Sequence, residues 1–382
     1  MPDGEIFFPI FHLVYYILIK VTGENHGLLV LVNCIGTGLA AFLIYLFLSR
    51  HYNNNIALIF SMLYASSSVR PAIVWNAFYL CYILCLIFFL IALLLTDSYV
   101  RSSSNITLWA IGLFSYLSIH SHNYTILALL VLPVYVLFMG GRQAWRQGLY
   151  LTGVLSIVLL SFTAEYLIFA GIKSTTFFNR NLLNTWPDCS LISFWLCGAF
   201  LSPLYFLFWG HLTFPVGAVI FGSLLLAFCL TVIWLKGTSL ERRMAVWALL
   251  LNALPFFTVS LGRYWFKFDY AFTSRYVFFT LLGAIILLCT TWTVLKRGIS
   301  TKFLQRLVAG GVIIMIISGQ IISMPFWQKG YLMLNRAALD YYKAPELFKG
   351  DSLNLFNPLH PLGPSQIKAI RNNLEKNHKL YN

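Results

Sequence analysis

Two carboxylates near the start of the chain, Asp3 and Glu5, come just before an apolar stretch that carries His12. A carboxylate placed there could take the proton from a hydroxyl as that hydroxyl attacks a phosphate-activated carbon. A solvated terminus is the plainer reading of the same residues. Further on, SIHSHNYT sets His120, His122 and Asn123 in a very short turn between two apolar segments. Two imidazoles there can donate hydrogen bonds to a phosphate or a sugar, ligate a divalent metal, or add polarity to a helix end. Glu165, in SFTAEYLIF, is the carboxylate that falls within a long apolar run. Ionisable groups at membrane depth are costly and are functional candidates for that reason. Glu165 could pair with a cation or bind a sugar hydroxyl, or it could reach interfacial water.

A second constellation lies in GRYWFKFDYAFTSRY, where Arg263, Lys267, Asp269 and Arg275 alternate with Tyr264, Tyr276 and other aromatic residues. Aromatic residues at a membrane interface commonly form the anchoring belt. Interleaved with arginine they also suit a lipid phosphate, because guanidinium forks bind phosphate oxygens in pairs while ring faces pack on sugars or isoprenoid chains. The stretch 171 to 191 adds Lys173, Arg180, Trp186 and Asp188, an acid close to a tryptophan, as in many saccharide sites.

The elements that must position these residues are membrane helices. The chain is 59% hydrophobic and 10% charged, far from the roughly 25% charged residues of soluble domains, and its mean hydropathy is +0.77. Runs near the length of about 20 residues that a spanning helix needs occur at 27 to 48, 73 to 95, 149 to 170, 213 to 235, 245 to 261, 276 to 295 and 307 to 323. Shorter ones occur at 56 to 68, 106 to 119 and 124 to 139. The expected fold class is all-α, a polytopic transmembrane helical bundle of about 10 spans with interfacial helices and a small extramembrane C-terminal tail. Residues 6 to 20, short and interrupted by Pro9, read as an interfacial helix. The run 192 to 209 reads as re-entrant or interfacial, broken near Pro203. The expected division is an interfacial segment over 1–26, a transmembrane domain over 27–323 and a tail over 324–382. In the tail, Ser365 is a candidate N-cap for an amphipathic helix carrying Ile367, Ile370 and Leu374.

Charge fixes the expected sidedness. Arg50, Arg101, Arg142, Arg146, Lys236, Arg242, Arg243, Lys296, Arg297, Lys302 and Arg306 fall on one face of this ladder, opposed there by Asp97 and Glu241. The positive-inside rule makes that face cytoplasmic, so the chemistry is expected on the outer side of a plasma (inner) membrane. The net charge of +14 is spread over short loops with no basic helix or RNA-binding signature. Membrane lipids are therefore expected as partners, and nucleic acid is not. Six of the seven cysteines lie in apolar runs, which argues against a disulfide framework. Gly-rich phosphate loops, nucleophile elbows and HExxH motifs are absent.

With these segments in view, the chain resembles the GT-C class of polytopic glycosyltransferases. FFPIFHLVYYILIK resembles the interfacial helix of that class, the turn from His120 to Tyr124 stands where a Lys or His is common, and RYVFFTLLGAI resembles a late span that opens with Arg-Tyr. The likeness is diffuse over about 300 residues of the sequence. It implies a transferase that takes a hexosyl or pentosyl group from a polyprenyl-phosphate sugar at the outer face and passes it to a lipid, glycan or protein. Asp3 or Glu5 would then be the base, Arg263 and Arg275 would hold the donor phosphate, and His12, His120, His122, Asn123 and Asp188 would line the sugar pocket. In that class a first span and an acidic pair usually precede the place where this sequence opens. Asp3 and Glu5 match only the end of that loop, so another membrane chain supplying the acids, or a truncated sequence, is an equally natural expectation. The alternative reading is a non-catalytic lipid-binding or assembly subunit of a membrane complex.

Overall fold

The computed structural model describes residues 8–22, 26–67, 79–141, 143–170, 189–208, 215–263 and 274–298, together with Gly310, Ile314, Ile317 and Ile321. The chain divides into two compact units, Met1–Gln320 and Ile321–Asn382. Only Ile321 of the second unit is described, so the architecture is that of the first unit, and the expected tail with its Ser365 helix lies outside the described residues. Among the described residues every regular element is a helix.

The elements are α1 (Pro9–Thr22), α2 (His26–Ser49), α3 (Asn54–Ser66), α4 (Leu80–Ser102), α5 (Asn105–Ser121), α6 (Val131–Met139) and α7 (Ala144–Ala170). After them come α8 (Cys189–Leu196), a π-helical turn (Cys197–Leu201), α9 (Ser202–Phe208), α10 (Pro215–Lys236), α11 (Ser239–Arg263) and α12 (Ser274–Gly298). Among the described residues seven stretches are long and apolar enough to cross a membrane, one of them Leu191–Phe208. α1 has 14 residues, about 21 Å at a rise of 1.5 Å per residue. That is short of a hydrocarbon core of about 30 Å. Phe11, and Phe8 just before the helix, are buried, while Leu13, Tyr16, Ile17 and Val21 are exposed, so α1 turns an apolar face outward as well as inward.

Three boundaries differ from the sequence reading, each for a local reason. The run read as 73 to 95 continues helically to Ser102, because Asp97 and Arg101 pair at i,i+4 on its last turns. The helix stops at Ser103, whose φ of 52° is left-handed. That conformation is costly for a residue with a Cβ, and Gln147 Nε2 holds it by donating to Ser103 Oγ at 2.6 Å. The run 124 to 139 is helical in the α sense only from Val131. Before it come two 3₁₀ turns, Asn123–Thr125 and Ala128–Leu130, where Thr125 Oγ1 donates to His122 O and short polar side chains compete with the helix for backbone groups. The third difference is at 192 to 209, where helix runs through Pro203 without a break and the irregularity is the π turn just ahead of it.

Contacts show how that stretch lies. α10 and α11 are joined by a tight turn at Lys236–Ser239, which serves as a common origin. Phe221 and Gly222 then lie about 21–23 Å up α10, and Ala253 to Phe257 about 21–27 Å up α11. Trp195 Nε1 donates to Ala253 O at 2.8 Å, Phe194 packs on Phe256, and Gly198 faces the Phe256 ring. At the other end Leu201 meets Gly222 and both Tyr205 and Phe208 pack on Phe221. The first half of the segment thus packs on α11 and the second half on α10.

One end of the bundle gathers the basic residues. Arg50 and Arg101 meet Asp97 there, Arg243 Nη1 donates to Phe138 O at 2.8 Å, and Arg297 pairs with Glu241. Glu241 also closes a capping box, accepting from Thr238 N at 2.7 Å while its own N–H faces Thr238 Oγ1 at 3.4 Å. Just inside this end, Trp247 is fully buried against Phe47 and Tyr135, its Nε1 donating to Val131 O at 3.0 Å. Halfway up, α11 and α12 touch at Gly283, where a Cβ would come within 2.4 Å of Ala248 O and 2.2 Å of Asn252 Oδ1. Gly283→Ala must push two backbones apart. It is expected to cost about 1–3 kcal/mol, read as a lowered unfolding midpoint in detergent; an unchanged midpoint would refute the close approach.

Candidate functional site

At the end opposite the basic residues, α5 and α7 bring together two groups that stand 45 residues apart in sequence. Tyr116 and His120 are one turn apart on α5, so their rings stack at 3.9 Å between centroids. His120 Nε2 lies 2.9 Å from Glu165 Oε2. The Tyr116 hydroxyl donates to Glu165 Oε1 at 3.0 Å, within 3.2 Å of Oε2, and Ser161 Oγ donates to Oε1 at 2.9 Å. Phe162 closes the imidazole edge-on at 5.2 Å. The His120 side chain is 1% exposed and that of Glu165 27%.

Hydrogen-bond stereochemistry fixes the proton inventory of the pair. His120 Nδ1 lies 2.8 Å from Tyr116 O, and a carbonyl can only accept, so Nδ1 carries a proton. Nε2 faces a carboxyl oxygen, so either Nε2 donates to a carboxylate or it accepts from a protonated Glu165. Both forms hold one proton between the residues and leave the pair without net charge, which is what a water-poor site tolerates.

His122 points elsewhere. α5 ends at Ser121 and His122 is extended, with φ −165° and ψ 133°. Its ring stacks on Phe8 at 4.5 Å and meets Tyr82 at 4.2 Å. Nδ1 accepts from Tyr124 N at 3.0 Å, capping the 3₁₀ turn, so in the neutral imidazole the proton sits on Nε2. The two histidines therefore separate: His120 joins α5 to α7, while His122 joins the turn to α4 and to the start of α1. The expected single pocket with both imidazoles is replaced by two sites, since residues two apart at a helix end project to different sides. Among the described residues no group of three or more His, Cys, Asp or Glu converges as metal ligands.

Of the other expected site residues, Glu165 meets His120 and Asn123 follows His122 in the 3₁₀ turn. His12 is exposed on α1, its ring 5.2 Å from that of Phe11. Asn123 is half-buried in the 3₁₀ turn. Arg263 ends α11, and Arg275 and Tyr276 lie in the first turn of α12, but their side chains are outside the described set. Asp3, Glu5, Asp188, Tyr264, Lys267 and Asp269 lie outside the described residues. Sequence reasoning missed Tyr116 and Ser161, although both lie at i,i+4 from an identified residue and so on its helix face. It also treated Asp97 as a loop charge, whereas Asp97 is the buried centre of a network with Arg50, His51, Arg101 and Tyr135. An apolar groove of about 390 Å³ runs between α2 and α3, lined by Ala41, Phe42, Tyr45, Leu58, Ser61, Met62 and Ala65. No protein-family model, curated protein or solved structure matches the chain.

Proposed function

We propose that this protein is a membrane glycosyltransferase of GT-C type, with about ten spans in the plasma membrane and Leu191–Phe208 re-entrant. It would move a sugar from a polyprenyl phosphate to a lipid, glycan or protein acceptor on the outer face. The observation that carries this reading is the stacking of Phe8 on His122. Glu5 and Asp3 stand three and five residues before Phe8, so whatever their conformation, chain length keeps their Cα atoms within about 11 Å and 18 Å of it. An acidic pair is thereby tethered to a turn rich in imidazole, amide and aromatic groups, beside the end of the bundle where α11 finishes at Arg263 and α12 begins before Arg275.

In this reading Asp3 or Glu5 takes the proton from the acceptor hydroxyl as its oxygen bonds to the anomeric carbon and the carbon–phosphate oxygen bond breaks. Arg263 and Arg275 neutralise the departing lipid phosphate, and His122 and Asn123 hydrogen-bond sugar hydroxyls. The His120–Glu165 pair holds α5 on α7 and so fixes the turn. The test is transfer of a radiolabelled sugar from polyprenyl-phosphate sugars by the purified chain. Asp3→Asn or Glu5→Gln is expected to lower turnover by about 10²–10⁴-fold, the usual share of general-base catalysis, with Arg275→Ala lowering it as well. If all three variants turn over as wild type does, the roles are wrong. If the wild type transfers no sugar yet binds polyprenyl phosphate, the assembly-subunit reading takes over.

A further inference from the structure

The basic end of the bundle holds a pair of cations that glycosyl transfer, as proposed, does not use. Arg50 follows directly on α2 and Arg101 lies in the last turn of α4, and both guanidiniums meet Oδ2 of Asp97. The Asp97 side chain is 5% exposed. Its other oxygen accepts from the Tyr135 hydroxyl at 2.7 Å and has His51 Nε2 at 3.4 Å. The carboxylate is thus fixed from α6 and from the α2–α3 turn, and it fixes both arginine heads in turn.

Those heads are only partly engaged. Arg50 uses Nη1 alone, toward Leu94 O and Asp97 Oδ2 at 2.9 Å each and Ser98 Oγ at 3.3 Å, and Arg101 uses Nη2 alone. Among the described residues no partner stands against Arg50 Nε or Nη2, or against Arg101 Nε or Nη1. Their side chains are 33% and 59% exposed. Two guanidiniums against one carboxylate leave one positive charge in excess. The carbonyl ends of α2 and α4 answer part of it, but they do not engage the outward edges of the two forks. A guanidinium edge matches two phosphate oxygens, and heads already held by a buried carboxylate lose little freedom on binding. Exposed Trp109 and Trp145, early in α5 and α7, flank the same end, as aromatic residues do at headgroup level.

We propose that Arg50 and Arg101, oriented by Asp97, form a binding site for a phosphate group, either on an anionic lipid headgroup or free in solution. The site does not depend on the glycosyltransferase reading. The test measures binding of short-chain phosphatidylglycerol, short-chain phosphatidylcholine and inorganic pyrophosphate to the whole chain in detergent. Wild type is expected to bind phosphatidylglycerol, pyrophosphate or both, and the zwitterionic lipid about tenfold more weakly or worse. Phosphatidylglycerol binding alone identifies a lipid source, and pyrophosphate binding alone a soluble one.

Arg101→Gln leaves Arg50 on Asp97 and keeps the fold. It is expected to weaken the bound anion about tenfold or more through loss of charge-assisted bonds. Arg146→Gln, an exposed cation in the first turn of α7, is expected to weaken it less than about fivefold. Asp97→Asn separates an oriented site from a diffuse field. It removes a negative charge, so a diffuse field would bind anions more tightly, whereas a site that needs the carboxylate to order its arginines binds more weakly. Failure of wild type to bind either anion, equal losses in Arg101→Gln and Arg146→Gln, or tighter binding by Asp97→Asn would each overturn the proposal.

Discussion

Asp97→Ala is expected to destabilise the protein by about 3–5 kcal/mol, the range seen when one member of a buried charge network is removed. Most of that cost comes from the polar groups stranded around the missing carboxylate. Tyr135 is fully buried and its hydroxyl loses an acceptor at 2.7 Å, while Arg50, two-thirds buried, keeps its charge with only Leu94 O and Ser98 Oγ beside it. Tyr135 also packs on Trp247 and Phe47, so disturbance at Asp97 spreads into the aromatic layer that joins α2, α6 and α11. Asp97→Asn keeps its one acceptor oxygen for the arginines and turns its amide N–H toward the Tyr135 hydroxyl, which can accept it while donating to His51 Nε2 at 2.9 Å, so it is expected to cost less than half as much. Unfolding followed by tryptophan fluorescence, with Trp247 as an internal reporter, measures both. An alanine variant within about 1 kcal/mol of wild type would mean that the network is surface decoration.

That network shows where the sequence was readable and where it was not. The apolar runs located α2, α7, α10, α11 and α12 to within a few residues at most ends, since length and hydropathy carry that information. The same criterion ended the span of α4 at residue 95, because a carboxylate and an arginine look like a loop until their partners are known. Arg50 and Tyr135 stand 47 and 38 residues from Asp97, and no local pattern reports such a pairing. The gathering of basic residues did appear in the sequence as a charge asymmetry, and among the described residues Arg50, Arg101, Arg243 and Arg297 do meet at one end.

The segment around the π turn was half legible. Parity of the charged loops argued that 192 to 209 does not cross, yet Leu191–Phe208 is long and apolar enough to span, with Trp195 on α11 and Leu201 on α10. Pro203 drew attention as the break because it lacks an N–H. The chain instead accommodates it by widening the preceding turn, and Gly198 gives the Phe256 ring room against the backbone there. The histidines were misread for a related reason. Spacing in sequence put His120 and His122 together, but one is the last turn of a helix and the other the first extended residue after it.

Glu165→Ala and His120→Ala are each expected to cost about 2–3 kcal/mol, somewhat below a fully buried pair because the carboxylate is 27% exposed. The double variant is expected to cost much less than their sum, with a coupling of about 1.5 kcal/mol or more, since either single change leaves the other group without its neutralising partner. Glu165→Gln is the sharper test of the shared proton. Its amide oxygen can still accept from Tyr116 and Ser161, and its N–H can donate to the lone pair on Nε2 of an imidazole whose Nδ1–H faces Tyr116 O. All four groups stay satisfied with no charge, so the cost is expected to fall below about 1 kcal/mol. Additive alanine effects would dissolve the pair as an energetic unit. A glutamine variant as unstable as the alanine one would show instead that the site requires a full ion pair, with imidazolium facing carboxylate across the 2.9 Å contact.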